Sequence, residues 1–296
     1  MIRHPTNSQK EKSKLTKEEW REFTKTVWQI ANTTDPQHPA VFPIEIPRRL
    51  IKLFTFDGEV VLDPFAGIGT TAVAAADLGR RCICVEQSAE YSRLIRERCH
   101  NLLHNENEVE VVRGDSCRMD FLEANSVGLV VTSPPYWNKA DYGDGEHNLG
   151  KEPVYVRFFH RIRPVFAECF RVLMPGRKLC LVTANVNQHT EHGLLTFPLA
   201  ADFICLLRDM GFVLVNEVIW SKDGTGGKWG SYGKQRPIFG SYPYPPNFLF
   251  KNVHEHILIF AKPPSKRASG KTVVSYEYLI GRAEAPRPKR AGKKGD

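Results

Sequence analysis

The chain has 296 residues, 42% hydrophobic and 25% charged, a balance that suits a folded core and excludes a disordered or fibrous chain. Its formal net charge of +8 favours a polyanionic partner. No apolar run of about 18 residues is present, so no membrane partner is expected, and the amino-terminal MIRHPTNSQKEKSK lacks the apolar core of a secretory signal.

Seven cysteines, without CxxC pairs, argue against a disulfide framework or a zinc knuckle. A reduced, cytoplasmic protein is the expectation. Residues 1–36 read as an amino-terminal extension. In it, Thr16 and Glu19 have the spacing of a helix capping box. Trp20, Phe23, Val27 and Ile30 then recur at helical spacing, which predicts one helix docking an aromatic stripe on the main body. HPAVFP (38–43) is irregular, and IPRRLIKLF reads as a short amphipathic helix.

From residue 59 the pattern becomes strand–helix–strand. EVVLDPF is a buried-strand run ending at Asp63, and GIGTTAVAAADLGR is a small-residue helix stopping at Gly79. Strands follow that end at Glu86, Asp115 and Ser133, with a helix over SAEYSRLIRERCHNLL. A Gly- and Asp-rich loop leads to a helix through VYVRFFHRIRPVFAECFRVL. After a Pro175-Gly176 turn come the strand KLCLVTA, a helix around PLAADFICLLRDM, and the strands FVLVNEVIW and HEHILIFAK. The alternation predicts an α/β fold, a mostly parallel sheet with helices on both faces. The last two strands have no helix between them, so they predict an antiparallel pair at one edge. Residues 263–296 read as a basic tail.

Chemistry concentrates at two turns. In Asp63-Pro64-Phe65-Ala66-Gly67-Ile68-Gly69-Thr70-Thr71 the glycines let the backbone approach a ligand, and the helix that follows offers free N–H groups. Taken alone, the glycine spacing also fits a nicotinamide dinucleotide. Three acids at successive strand ends, Asp63, Glu86 and Asp115, repel a pyrophosphate; they suit the cationic aminoacyl sulfonium, ribose hydroxyls and adenine amino group of S-adenosylmethionine.

The second turn is Ser133-Pro134-Pro135-Tyr136-Trp137. Its prolines remove backbone donors and stiffen the loop, leaving the Ser133 hydroxyl and main-chain carbonyls as acceptors for an exocyclic amino group. Tyr136 offers a face for a stacked base, worth about 1–3 kcal/mol, and Trp137 is a weaker candidate for the same contact. In a doubly wound sheet both turns open onto one crevice, as transfer between two bound molecules requires.

With these motifs the sequence resembles the DNA amino-methyltransferases that modify cytosine N4 or adenine N6, over roughly residues 20–262. The resemblance implies a Rossmann-like S-adenosylmethionine-dependent methyltransferase fold, a mostly parallel seven-stranded sheet with an antiparallel edge hairpin, within residues 37–262. It implies that His38, Pro39 and Phe42 close over the methionine part of the cofactor. Asp63, Pro64, Phe65, Gly67, Gly69, Thr70 and Thr71 would form the main cofactor turn. Glu86, and Asp115 with Ser116, match the residues that bind ribose and adenine; Ser133 adjoins both ligands. Ser133, Pro134, Pro135 and Tyr136 match the catalytic motif, whose serine form is associated mainly with cytosine N4. The commonest N4 arrangement places this motif before the cofactor half; here the order is reversed, as in a circular permutation.

Such an enzyme flips its base out of double-stranded DNA, and a cognate restriction endonuclease is a candidate partner. The segment 222–253 interleaves basic and aromatic residues, among them Lys222, Lys228, Tyr232, Lys234, Arg236 and Lys251, which suits phosphates and base edges and marks it as a candidate target-recognition insert. His38, His147, His254 and His256 show no metal-ligand spacing, and no metal is expected. Three alternatives stay open: an N6-adenine enzyme, a nicotinamide dehydrogenase, and a non-catalytic DNA-binding regulator with a cofactor pocket.

Overall fold

The structure, a computed structural model, describes residues 5–38, 40–100, 109–139, 148–222, 244, 250 and 252–264. In chain order its elements are α1 (Asn7–Lys12), α2 (Lys17–Phe23), β1 (Val27–Gln29), α3 (Glu45–Phe54), β2 (Val60–Asp63), α4 (Thr70–Asp77), β3 (Arg81–Glu86), α5 (Ala89–His100), β4 (Val109–Arg113) and β5 (Val127–Thr132). After a short 3-10 turn at Leu149–Lys151 come α6 (Tyr155–Val172), β6 (Leu173–Thr183), β7 (Val186–Thr190), β8 (Gly193–Phe197), α7 (Leu199–Asp209), β9 (Val213–Ser221) and β10 (His254–Ala261).

Among the described residues one sheet holds eight strands in the order β1-β9-β10-β6-β5-β2-β3-β4. Every pairing in it is parallel except those made by β10, which runs antiparallel to both β6 and β9. Alternation along the strands feeds two separate cores. Leu62, Val130, Leu258 and Phe260 face one side, with α6 and α7. Val61, Leu129, Val131, Ile257 and Ile259 face the other, with α3, α4 and α5. On α6 the buried residues Phe158, Ile162, Val165, Phe166, Cys169 and Val172 form one helical stripe; full burial of a side chain such as Phe166 contributes about 1.5–3 kcal/mol. On α4, alanines 72, 74 and 75 are fully buried, which lets this helix lie close to the sheet.

Four expectations need correction. The Thr16–Glu19 capping box forms, but α2 stops at Phe23 and the chain re-enters as β1, parallel to β9. Trp20 stays 61% exposed while Trp28 is buried as a strand residue. The sheet therefore has eight strands, not seven. The antiparallel pair is not at the edge, because β1 covers β9. Pro175-Gly176 lies inside β6 instead of preceding it, and β7 and β8 form an unexpected hairpin of their own.

The order reverses at β2. From it the chain winds one way through β3 and β4 and the other way through β5 and β6. The carboxyl ends of β2 and β5 thus flank the crevice where such sheets bind ligands.

Candidate active site

The turn after β2 is shaped by two left-handed glycines, Gly67 at φ 52° and Gly69 at φ 85°. Gly69 caps α4, so Thr70 opens that helix. A Cβ at Gly67 would lie 2.9 Å from Nε2 of His38, so only glycine lets that imidazole rest on the turn. The His38 ring also lies 4.8 Å from the Tyr91 ring, centroid to centroid, and its Nδ1 accepts from the Ala40 N–H at 3.2 Å. Burial lowers the His38 pKa. An ion pair between Asp35 and Arg98 anchors the same segment, and Phe42 is half-buried against the core beneath it.

Asp63 is 1% exposed and carries three donors. Its Oδ1 accepts from the Phe65 N–H at 3.1 Å and from the Thr132 hydroxyl at 2.8 Å, and its Oδ2 accepts from the Thr71 hydroxyl at 2.6 Å. Desolvation pushes its pKa up to about 6, against the lowering effect of those bonds. Thr132 is the last residue of β5, so a single buried carboxylate ties the two turns together. The residue is a brace between the turns.

Glu86, half-buried at the end of β3, accepts from the Gly67 N–H at 2.9 Å and from the Ser88 N–H at 2.8 Å; desolvation raises its pKa. It thereby holds the glycine turn while lone pairs remain for vicinal hydroxyls. Asp115 lies just past β4, and its Oδ1 accepts from the Cys117 N–H at 2.9 Å. Ser116 is buried and donates to the Pro64 carbonyl, which makes it a support of the turn. This acceptor set suits a ligand bearing a cation and hydroxyls: the Glu86 and Asp115 carboxylates lie at or just past neighbouring strand ends and disfavour a phosphate.

At the second turn Ser133, Pro135 and Tyr136 are half-buried and Pro134 is buried. The Tyr136 hydroxyl donates to Oε2 of Glu255 at 2.7 Å and lies 3.2 Å from the Ser133 hydroxyl oxygen. Glu255, on β10 and 9% exposed, also pairs with Lys222, whose ammonium sits 4.5 Å from the centroid of the Trp220 ring.

A family model described as DNA methylase matches residues 1–97 and 127–294. The chain belongs to that family. Type II methyltransferase M.MjaI of Methanocaldococcus jannaschii is 38% identical over 200 residues, 60% of this chain and 63% of that protein. Type II methyltransferase M.BglI of Bacillus subtilis is 43% identical over 86 residues, 28% of this chain and 25% of that protein. The chain spans less than two thirds of the length of these curated relatives. Among solved structures, a candidate DNA modification methylase from Thermus thermophilus, complexed with S-adenosyl-L-methionine, is 30% identical over 53% of this chain and 55% of that one, with a TM-score of 0.38.

In this member of the DNA methylase family, His38 and Glu86 both meet Gly67, Ser116 meets Pro64, and Asp63 reaches Thr132 beside the Ser133 turn. Trp137 is a correction. Its ring is 4% exposed and packs on Tyr155 and Phe197, at centroid distances of 5.1 and 4.7 Å, so it has no face open to a base. Of the other residues expected at DNA, Lys222 is described and is held by Glu255. Lys228, Tyr232, Lys234, Arg236 and Lys251 lie outside the described residues, as does Pro39 of the cofactor set, and so does the tail beyond 264. Glu255 escaped the sequence reading. Its signal was the one carboxylate of the strand HEHILIF, set between two histidines just before the apolar run.

Proposed function

We propose that the chain transfers a methyl group from S-adenosylmethionine to the exocyclic N4 amino group of cytosine in double-stranded DNA. The observation that carries this reading is the Asp63–Thr132 hydrogen bond of 2.8 Å, which joins the glycine turn to the Ser-Pro-Pro-Tyr turn at the reversal point of the sheet. Two ligands seated on those turns are neighbours. Proximity of this kind supplies much of the catalysis that group transfer needs.

Glu86 receives the ribose hydroxyls and Asp115 the adenine amino group of the cofactor. Gly67 gives the close backbone approach, and His38 and Phe42 cover the methionine end. Bound there, the cofactor supplies an electrophilic methyl carbon on a sulfonium. Ser133 and the Pro134 carbonyl hold the target amino group by accepting hydrogen bonds from its N–H groups, which favours a lone-pair-bearing nitrogen. As that nitrogen bonds the methyl carbon the carbon–sulfur bond breaks, the thioether leaves neutral, and one N–H proton passes to solvent. Tyr136 stacks on the flipped base, at a flipping cost of a few kcal/mol. The segment 222–253 and the basic tail contact DNA, the tail in a salt-sensitive and sequence-blind way. A cytoplasmic location follows from the same reading, and a cognate restriction endonuclease is a candidate partner; no described helix is long and apolar enough to cross a membrane.

Serine at position 133 favours cytosine, because the family's adenine enzymes more often carry an acid there. Adenine N6 is the second reading, on the same geometry. The deciding experiment incubates the chain and labelled cofactor with duplex DNA, digests the DNA to nucleosides and identifies the labelled one. N4-methylcytosine is expected. N6-methyladenine establishes the second reading, and no label in DNA overturns both.

A further inference from the structure

We propose that Glu255 is a positioning residue that fixes the direction of a hydrogen-bond chain through Tyr136 to Ser133, so that Ser133 meets its substrate as an acceptor only. The proposal rests on the amino-methyl transfer read above and adds to it a residue and a reason.

A phenol has one proton. Tyr136 donates it to Oε2 of Glu255 at 2.7 Å, and a carboxylate has none to return. The Tyr136 oxygen can therefore only accept from the Ser133 hydroxyl, 3.2 Å away. With its proton committed to Tyr136, Ser133 presents lone pairs alone to the crevice. An exocyclic amino group offers protons, so this is the polarity that holds it. The reverse polarity would set a hydroxyl proton against an amino proton.

Lys222 makes the direction depend on a carboxylate at 255. It occupies the second Glu255 oxygen, its backbone N–H donates to the Val253 carbonyl at 2.9 Å, and its ammonium lies over the Trp220 ring. An ammonium is a donor only. In a Glu255→Gln variant the amide carbonyl must face Lys222, and the amide NH2 must turn to Tyr136. Donation from that NH2 to the tyrosine oxygen sends the phenolic proton to Ser133, and the chain runs backwards. Without Lys222, the glutamine can turn its carbonyl to Tyr136 and restore the direction.

The test measures single-turnover methyl transfer to duplex DNA at saturating DNA, with cofactor affinity followed by calorimetry. E255Q is expected to slow transfer by roughly ten- to a hundredfold with cofactor affinity unchanged. E255Q/K222M should be faster than E255Q. Y136F cuts the chain while keeping the ring, so it should slow transfer too, and adding E255Q to it should cost nothing further. E255Q or Y136F at the wild-type rate, a double variant no faster than E255Q, or additive losses in the Y136F background would each overturn the proposal. Should E255Q not fold, the Y136F rate decides by itself. A wild-type chain that transfers no methyl to DNA sinks the parent reading and this one with it; an active wild type with an undiminished E255Q sinks this one alone.

Discussion

The two turns that flank the crevice are built in opposite ways. At the turn after β2, buried polar side chains find partners: Asp63 takes three donors, Glu86 takes two N–H groups and Ser116 reaches the Pro64 carbonyl. At the turn after β5, Trp137 sits at φ 49°, and Trp137 Nε1 and Asn138 Oδ1 are buried without a hydrogen-bond partner among the described residues. A left-handed tryptophan and two unmatched polar atoms each cost free energy that the surroundings must offset. The difference suits the two tasks. On the proposed function, a small cofactor of fixed shape wants a rigid cradle, whereas a turn proposed to accept a base swung out of a duplex gains from being less deeply settled.

Removing the chemistry of the second turn while leaving the cradle alone gives the largest expected effect. Ser133→Ala should lower turnover by roughly 10²–10³-fold, the scale seen when one aimed polar group is removed from a reaction site. Cofactor affinity, measured by calorimetry, should stay largely in place. Joint loss of turnover and affinity would mean that the two turns are not separable units. The complementary change is Gly67→Ala. The left-handed φ of 52° and the 2.9 Å approach to His38 Nε2 both oppose a Cβ, so cofactor affinity should fall roughly tenfold or more. Gly67→Ala should also lower the melting temperature of the cofactor-free chain, and there adding His38→Ala should recover the steric part of the loss and leave the backbone part. No recovery would show that His38 is not what the glycine accommodates.

Asp63 sharpens the comparison through pH. Its folded pKa, about 6, lies above the ordinary carboxyl value of 3.8, so folding favours the neutral form. Below pH 4 the group is protonated folded or unfolded and costs nothing. Between pH 4 and 6 the unfolded chain ionises first, so stability falls as pH rises; above pH 6 the loss is complete and constant. Asp63→Asn cannot ionise. Chemical denaturation across pH 4–8 should therefore show wild type losing stability relative to Asp63→Asn up to pH 6 and tracking it above. A difference that is flat from pH 4 to 6 would mean that Asp63 does not titrate there.

What could be read from the sequence follows the distance over which each feature is encoded. The β2 turn packs its brace, glycines and Thr71 into nine consecutive residues, Glu86 closes a recognisable strand and Asp115 follows another by two residues, so the outline of that corner was legible. The join between the turns also follows from strand logic, since β2 and β5 must be neighbours in a doubly wound sheet. Glu255 was not legible: 119 residues separate it from Tyr136, and nothing in a lone acid on a strand says whose hydroxyl it meets. Trp137 was misread because an aromatic next to a turn has the same letter whether it faces solvent or core, and its positive φ is invisible in sequence. At β1, three residues are too few to outweigh an apolar spacing that also fits a helix, although Thr24, Thr26 and Val27 favour a strand.

The smallest effect concerns the unmatched atoms. Trp137→Phe removes an indole N–H that has no partner among the described residues, and so relieves a desolvation cost of about 1–3 kcal/mol while giving up part of a buried ring. The two changes oppose each other, and the melting temperature should move little. Trp220→Phe makes the same loss of ring area at an equally buried site, but there Nε1 donates to the Ile30 carbonyl at 2.8 Å. That variant strands the carbonyl and should be the less stable of the two by about 1–3 kcal/mol, with thermal unfolding of both as the measurement. If Trp137→Phe is the more destabilised, its indole N–H has a partner after all. The turn after β5 would then be as fully settled as the turn after β2, and the contrast between a rigid cradle and a yielding platform would fail at its weaker end.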